Sequence, residues 1–357
     1  MANLVGTPSA EFWRNKRVLV TGHTGFKGGW LALWLQRMGA QVSGLSMAPA
    51  MEPNLFDLAS IHTFCNSHIC DIRNQPEVTR IIHEIQPEVV FHLAAQPLVR
   101  ESYKYPIETF ATNVMGTGHV LEAIRGVSNL RVAVMITTDK VYKNNEWLWP
   151  YRENDSLGGH DPYSASKAAS ELLIDSYRSA FLAEHGTAVS SARAGNVIGG
   201  GDWSVDRLIP DAVRAWQNTK ALDIRRPESV RPWQHVLEPL AGYLKLAQCN
   251  WDDPQSAGAY NFGPEMCEIG SVREVIELAR TAYGSGEVIF GDGKGGPHEA
   301  GLLTLEVTKS KSLLNLQSRW TLSESIKRTM QWYLAQSDGF DARYLCETDI
   351  EEYESPS

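Results

Sequence analysis

The chain has 357 residues, 33 basic and 42 acidic, and a net charge of -9, with 43% apolar side chains. This length can bury a large core in two lobes, and the acidic balance argues against nucleic acid as a partner while leaving room for a local basic pocket. No apolar run approaches the ~18–20 residues that span a bilayer, which sets aside a membrane protein.

The segment MANLVGTPSAEFWRNK lacks the basic and apolar regions of a signal peptide. Cys65, Cys70, Cys249, Cys267 and Cys346 are scattered, and none forms a C-x-x-C pair. With no H-x-x-H or H-E-x-x-H pattern either, the plain reading is a reduced, cytoplasmic protein without a metal site.

In chain order, Arg17-Val18-Leu19-Val20 reads as a strand buried on both faces. Gly22, Gly25 and Gly28 follow as T-G-x-x-G-x-x-G, and a helix begins by Trp30 and closes at Gly39. Gly22 permits a tight turn, Gly25 the close approach of a ligand, and Gly28 the packing of helix on sheet. The helix N-terminus then offers N–H groups and partial positive charge to an anion, most simply a pyrophosphate. The loop so defined holds Gly22, His23, Thr24, Gly25, Phe26, Lys27 and Gly28. A structural glycine turn is the plainer alternative.

Gln41–Leu45 reads as a second strand. Ser46, Met47 and Ala48 follow it, with neither an acid to hold a ribose nor an arginine for a 2′-phosphate, so NAD and NADP both stay open at this position. Residues 49–66 read as a loop with a short helix. His68–Arg73 reads as a strand ending at Asp71 and Ile72, where Asp71 either meets an adenine amino group or caps the helix starting near Pro76. After a helix at Val78–Ile85, Val89–Ala95 is a strand whose end, Leu93-Ala94-Ala95, lets a cofactor come close. Thr109–Ile124 is helical, and the strand Val132–Ile136 runs into Thr137-Thr138-Asp139-Lys140. The alternation implies an α/β fold with a doubly wound parallel sheet, whose ligands lie at the carboxyl ends of the strands.

A helix runs from Tyr163 to Phe181, a strand from Ala188 to Ala192, and the glycine-rich stretch RAGNVIGGG follows at 193–201. Beyond it the regular alternation weakens. Helices are expected at Pro210–Trp216, Glu238–Gln248 and Ser271–Ala282, a strand-like piece at Tyr260–Gly263, and a frayed acidic tail from Thr348. The division expected is residues 1–190 as the larger lobe and 191–357 as the smaller, with the chain crossing back between them and the ligand lying in between.

Tyr163 and Lys167 are four apart on one helix face. A tyrosine beside a cation and the positive ring of an oxidised nicotinamide is a candidate base for a hydroxyl proton, and Lys167 can hold ribose hydroxyls. Thr138 can bond a substrate hydroxyl or the tyrosine. Asp139 and Lys140 add an acid able to protonate a departing hydroxyl and an amine able to take a carbon-bound proton next to a ketone; a strand-end salt bridge is the plainer alternative. Arg193, Arg207, Arg225, Arg226 and Arg231 suggest a diphosphate pocket that two of them contact, with Asn196 beside it.

In this order and spacing, TGHTGFKG, CDIR, HLAAQ, TTDKVY, YSASK, NVIGGGDW, RPWQHV and YNFGP resemble the extended short-chain dehydrogenase/reductase family over nearly the whole chain. HTGFKGGW, NVIGGGDWSVDRLIPD and TTDK are most similar to the nucleotide-sugar 4,6-dehydratases of the branch acting on CDP-glucose. The resemblance implies a Rossmann-like domain that binds NAD and a smaller nucleotide-sugar-binding lobe. It implies that Tyr163 takes the C4 hydroxyl proton, that Lys140 stands as C5 base where other branches have Glu, and that Asp139 protonates the leaving C6 hydroxyl. It places Gln96, Asn196, Arg207, Arg231 and Glu299 near the substrate, makes Asp71 the candidate adenine contact, and suggests a homodimer or dimer of dimers built on the helices at 109–124 and 163–181. His23 and Lys27 are compatible with an extra phosphate. A nucleotide-sugar 4-epimerase or reductase on the same fold needs no Asp139–Lys140 pair, and a non-catalytic NAD-binding regulator needs no Tyr163 base.

Overall fold

The computed structural model describes residues 7–293 and 301–355. Seven parallel strands form the central sheet: β1 (Arg17–Thr21), β2 (Gln41–Ser46), β3 (Asn66–Ile69), β4 (Val89–His92), β5 (Val132–Ile136), β6 (Ala188–Ala194) and β7 (Ala259–Phe262), in the spatial order 3-2-1-4-5-6-7. β1 pairs with β2 on one side and β4 on the other, Val18 standing opposite both Val42 and Val89. The strand order therefore reverses beside β1, which opens a crevice at its carboxyl end.

The helices that share a core with this sheet include α1 (Phe26–Arg37), α2 (Gln75–Ile85), α3 (Thr117–Arg125), α4 (Pro162–Tyr177), α5 (Leu237–Asp252), α6 (Leu322–Ser337) and α7 (Ala342–Glu354). The cores of β1, β4 and β5 are continuously apolar because helices cover both faces. Val18, Val20, Val89, Phe91, Val132 and Val134 share one core with α1, α5, α6 and α7, whereas Leu19, Val90, Ala133 and Met135 share the other with α2, α3 and α4. Successive residues thus point to opposite layers, as a pleated strand requires.

Several sequence expectations are corrected. The first helix begins at Phe26, four residues before Trp30, so Gly28 lies within it. The third strand ends at Ile69, and Asn74, not Asp71, caps α2. The acidic tail is not frayed: it is α7, with Cys346, Ile350 and Tyr353 almost wholly buried. Trp34 Nε1 donates to Glu354 Oε1 at 2.7 Å, and Arg37 pairs with Glu351 at 2.9 Å. Burying a large apolar side chain contributes roughly 1.5–3 kcal/mol, whereas like-charge helix neighbours cost about 0.2–0.5 kcal/mol a pair, so docking wins.

β7 returns to the sheet from residues 259–262 and pairs with β6. Between and after these strands, the helix Leu208–Gln217, the parallel pair Leu222–Ile224 with Val288–Phe290, and the antiparallel pair Val230–Arg231 with Gly270–Ser271 build a cap. Among the described residues no helix is long and apolar enough to cross a membrane.

Candidate active site

The carboxyl ends of β1, β2, β4, β5 and β6 and the cap enclose one cavity of about 1650 Å³. One end of it is the glycine turn. Gly22 adopts φ +79°, and a Cβ there would meet Ala94 N at 2.8 Å, so the ends of β1 and β4 touch backbone to backbone. Gly25 precedes α1, which no side chain caps among the described residues, leaving first-turn N–H groups for an anion. A Cβ on Gly28 would lie 2.1 Å from Gly22 O. Backbone cannot yield there, so Gly28→Ala should destabilise the fold by about 1–3 kcal/mol, read as a lower melting temperature in thermal unfolding.

Gly22, Thr24, Gly25, Phe26, Lys27 and Gly28 line the cavity. Thr24 also ties the turn to β2, its Oγ1 lying 2.7 Å from Ser46 Oγ and donating to Met47 O at 2.9 Å. His23 is the exception and corrects the sequence reading. Its ring is buried beneath Gly44, where a Cβ would come within 2.3 Å of it, and Nε2 bonds Ser67 Oγ at 2.6 Å. Burial lowers its pKa to about 4, with His68 adding to the effect. A neutral ring inside the core cannot receive an extra phosphate.

Asp71 and Ile72 line the same end of the cavity, and the Asp71 carboxylate is held by Arg73, with guanidinium contact at 2.6 Å. Leu93, Ala94 and Ala95 line it at the end of β4, and Thr137 at the end of β5.

The chemistry-bearing residues converge farther in: Thr138, Asp139, Lys140, Tyr163 and Lys167 line one wall. Asp161 caps α4 by accepting from Ser164 N at 2.9 Å, and Pro162 sets the first turn, so Tyr163 and Lys167 face the end of β5. Ser102 Oγ accepts from Tyr163 N at 3.1 Å, and Lys167 Nζ donates to Ile136 O at 3.2 Å. Thr138 caps the short turn Asp139–Val141 and donates through Oγ1 to Asp139 Oδ1 at 2.9 Å. Asp139 Oδ2 is buried with no hydrogen-bond partner among the described residues.

Burial pushes the Tyr163 phenol up to about 12, although the Thr138 hydroxyl and the Arg207 charge pull it down. The sequence expectation gave the acidifying role to Lys167 together with an oxidised nicotinamide ring; here burial prevails, and Thr138 and Arg207 oppose it. Burial likewise raises Asp139 against the pull of Lys140, Thr138, Arg231 and Lys27. Lys140 is lowered by burial first and then by Arg231 and Arg207, against Asp139 and Asp161. Both members of the pair are biased towards their uncharged forms.

Asn196, Arg207 and Arg231 line the same cavity, as do Arg225 and Arg226. Arg193 does not: it lies within β6 and pairs with Glu171 at 2.8 Å in the interior. Gln96 lines the cavity, but its amide is engaged with Thr109 Oγ1 at 2.9 Å and with Leu98 N. Glu299 falls outside the described residues.

Ser102 and Glu171 escaped the sequence reading. Glu171 sits one turn beyond Lys167, and an acid on the buried face of that helix was the available signal. Among the described residues no group of three or more His, Cys, Asp or Glu side chains is placed to hold a metal.

A glycine turn at a sheet crevice, facing a tyrosine–lysine pair and a cap rich in arginine, defines a Rossmann-like enzyme of the dehydratase and epimerase class. The chain belongs to the GDP-mannose 4,6 dehydratase family, whose sequence pattern matches residues 19–329. It is 45% identical to a CDP-glucose 4,6-dehydratase of Salmonella typhimurium over 97% of this chain and 98% of that protein. It is 24% identical to a dTDP-glucose 4,6-dehydratase of the same organism over 90% and 93% of the two chains. Among solved structures, an epimerase of Methanothermobacter thermautotrophicus aligns with TM-score 0.80 at 22% identity, covering 95% of this chain and 98% of that one. An NAD dependent NDP-hexosamine 5,6-dehydratase involved in tunicamycin biosynthesis aligns with TM-score 0.75 at 23% identity, covering 89% and 97%. These two structural likenesses establish the fold.

Proposed function

We propose that the chain is a CDP-glucose 4,6-dehydratase that releases water from CDP-glucose to give CDP-4-keto-6-deoxyglucose. The observation that carries this reading is the Asp139–Lys140 pair, buried beside Tyr163 and biased towards an acid and an amine. Epimerisation at C4 needs neither.

The glycine turn and the free first turn of α1 fit the diphosphate of a dinucleotide, with Asp71 and Ile72 at its adenine end and Lys167 at its ribose. When bound, NAD supplies a reversible acceptor for the hydride at sugar C4. Tyr163 takes the C4 hydroxyl proton as that carbon is oxidised, and the resulting ketone acidifies C5–H. Lys140 removes the C5 proton. Asp139 delivers its proton to the C6 hydroxyl, which leaves as water, and the C5–C6 double bond left behind takes back at C6 the hydride given up at C4 and a proton at C5, so that loss of one water is the only net change. Asn196, Arg207 and Arg231 hold the substrate diphosphate through amide and guanidinium donors.

A homodimer on the helices at 106–125 and 162–182 is supported by exposed Ile107, Met115 and Leu172. Five free cysteines suit a cytoplasmic enzyme, and a 4-keto-6-deoxyhexose serves deoxysugar supply for surface polysaccharide.

Incubation with CDP-glucose and NAD in deuterated water tests the whole reading. The expected product is a 4-keto-6-deoxy sugar nucleotide, lighter by one water and carrying deuterium at C5, by mass spectrometry and proton NMR. CDP-galactose would indicate the epimerase instead, and turnover of dTDP-glucose alone would overturn the base assignment.

A further inference from the structure

Lys27 stands in the first turn of α1 and lines the cavity. Four charged groups from three other segments face it: Arg207 and Asp202 from the loop after β6, Asp139 from the turn after β5, and Lys167 from α4. Three of these are already committed. Arg207 Nε lies 3.8 Å from Asp202 Oδ2, and Lys167 Nζ is bonded to Ile136 O at 3.2 Å. Asp139 is shared with Lys140 and Arg231, which also act on its carboxyl group. Lys27 therefore lies in a cluster with more cations than carboxylates. Burial first, with Arg207 and Lys167 adding to it and Asp139 and Asp202 opposing, lowers its pKa to about 7. On the same turn, the N–H groups that follow Gly25 have no side-chain cap among the described residues. The amine at rest thus shares its helix turn with a ready anion site.

We infer that Lys27 takes up a proton when a dinucleotide diphosphate settles on the N-terminus of α1, so that coenzyme binding and proton uptake are a single event. This rests on the coenzyme reading proposed above. The anion brings the negative charge that the cluster lacks, and an opposite charge within about 4–6 Å favours the charged form of a lysine. The proton comes from solvent and stays on Nζ, with no bond to carbon made or broken. His23, in the same loop, is turned into the core and stays neutral above about 4, so it contributes nothing.

The sign follows from linkage. Well below pH 7, Lys27 is protonated in both forms and affinity is independent of pH. Above it, the free protein has lost the proton that the complex retains, so affinity falls by up to about tenfold per pH unit until the bound group also titrates.

Calorimetric titration of NAD into coenzyme-free protein at pH 8, in buffers of low and high ionisation enthalpy, tests this. The parent should take up about 0.5–1 proton per NAD bound. Lys27→Arg should bind with no uptake and with affinity flat between pH 7 and 9, because its charge is permanent. Lys27→Met should bind more weakly, also without uptake, and thermal unfolding checks that both variants are folded. Uptake that persists in Lys27→Arg would belong to another group, such as Lys167, whose pKa burial lowers to about 8; that result overturns the inference. Binding by the parent without uptake overturns it equally, whereas no binding of NAD from pH 6 to 9 overturns the coenzyme reading on which it rests.

Discussion

Lys140→Met should cut formation of the 4-keto-6-deoxy product by about 10²–10⁴-fold, the usual contribution of a positioned general base, and abolish deuterium entry at sugar C5. The buried ammonium is disfavoured first by desolvation, then by Arg231 and Arg207, while Asp139 and Asp161 favour it. Removing the side chain removes the proposed base without touching Tyr163 or Lys167, so oxidation at C4 should continue and C5 exchange should not. Asp139→Asn should give the complementary result. Its carboxyl group is raised by burial, Oδ1 is held by Thr138, and Oδ2 has no partner among the described residues. That oxygen suits a proton to be given away. With asparagine in its place, C5 should still exchange while water loss slows. Proton NMR of the sugar in deuterated water separates the two, because exchange and elimination are read on different carbons. C5 exchange that survives in Lys140→Met would move the base elsewhere in the cavity.

The parts legible in the sequence are those where local pattern and tertiary environment agree. Val18–Val20, Val89–Phe91 and Val132–Ile136 read as buried strands because helices cover both faces of the sheet. Tyr163 and Lys167 read as a pair because four residues make one helical turn. What could not be read depends on distant partners. The strand-like piece expected at Tyr260–Gly263 is the strand Ala259–Phe262, but its place as the seventh strand of the sheet comes only from its pairing with β6. In α7 a dense set of carboxylates hides the buried stripe of Cys346, Ile350 and Tyr353. His23 sits in a phosphate-type loop, yet its ring fills the space that Gly44 leaves open. Arg193 looked like one more pocket cation. Its strand continues two residues past the expected end, which puts Arg193 in the strand between β5 and β7 and sets its guanidinium against the internal carboxylate of α4.

That carboxylate, Glu171, gives the largest stability effect expected in the chain. Its Oε1 accepts from Thr137 Oγ1, and its Oε2 accepts from Ser191 Oγ at 2.7 Å and Arg193 Nη2 at 2.8 Å. Burial alone would raise its pKa, but the Arg193 guanidinium and the two hydroxyls overcome that and hold it below the usual range. A carboxyl group depressed in the folded state contributes stability above its unfolded pKa and loses it as pH falls through the folded value, so the pair should weaken on the acid side. Glu171→Ala strands a buried guanidinium and should cost about 3–5 kcal/mol, on the order of 5–10 °C in melting temperature. The pair also fixes function. Thr137 precedes Thr138 and Asp139, and Glu171 follows Lys167 by one turn, so the same carboxylate bolts α4 to the end of β5 that carries the acid. Turnover should therefore fall in Glu171→Ala even at temperatures where the protein stays folded. Replacing both partners with methionine separates the two roles. A buried ion pair exchanged for apolar side chains is often neutral in stability, so Glu171→Met with Arg193→Met should regain much of the melting temperature. Activity should remain low, because Thr137 has lost the acceptor that holds the catalytic turn. Recovery of both together would mean that the pair acts on stability alone.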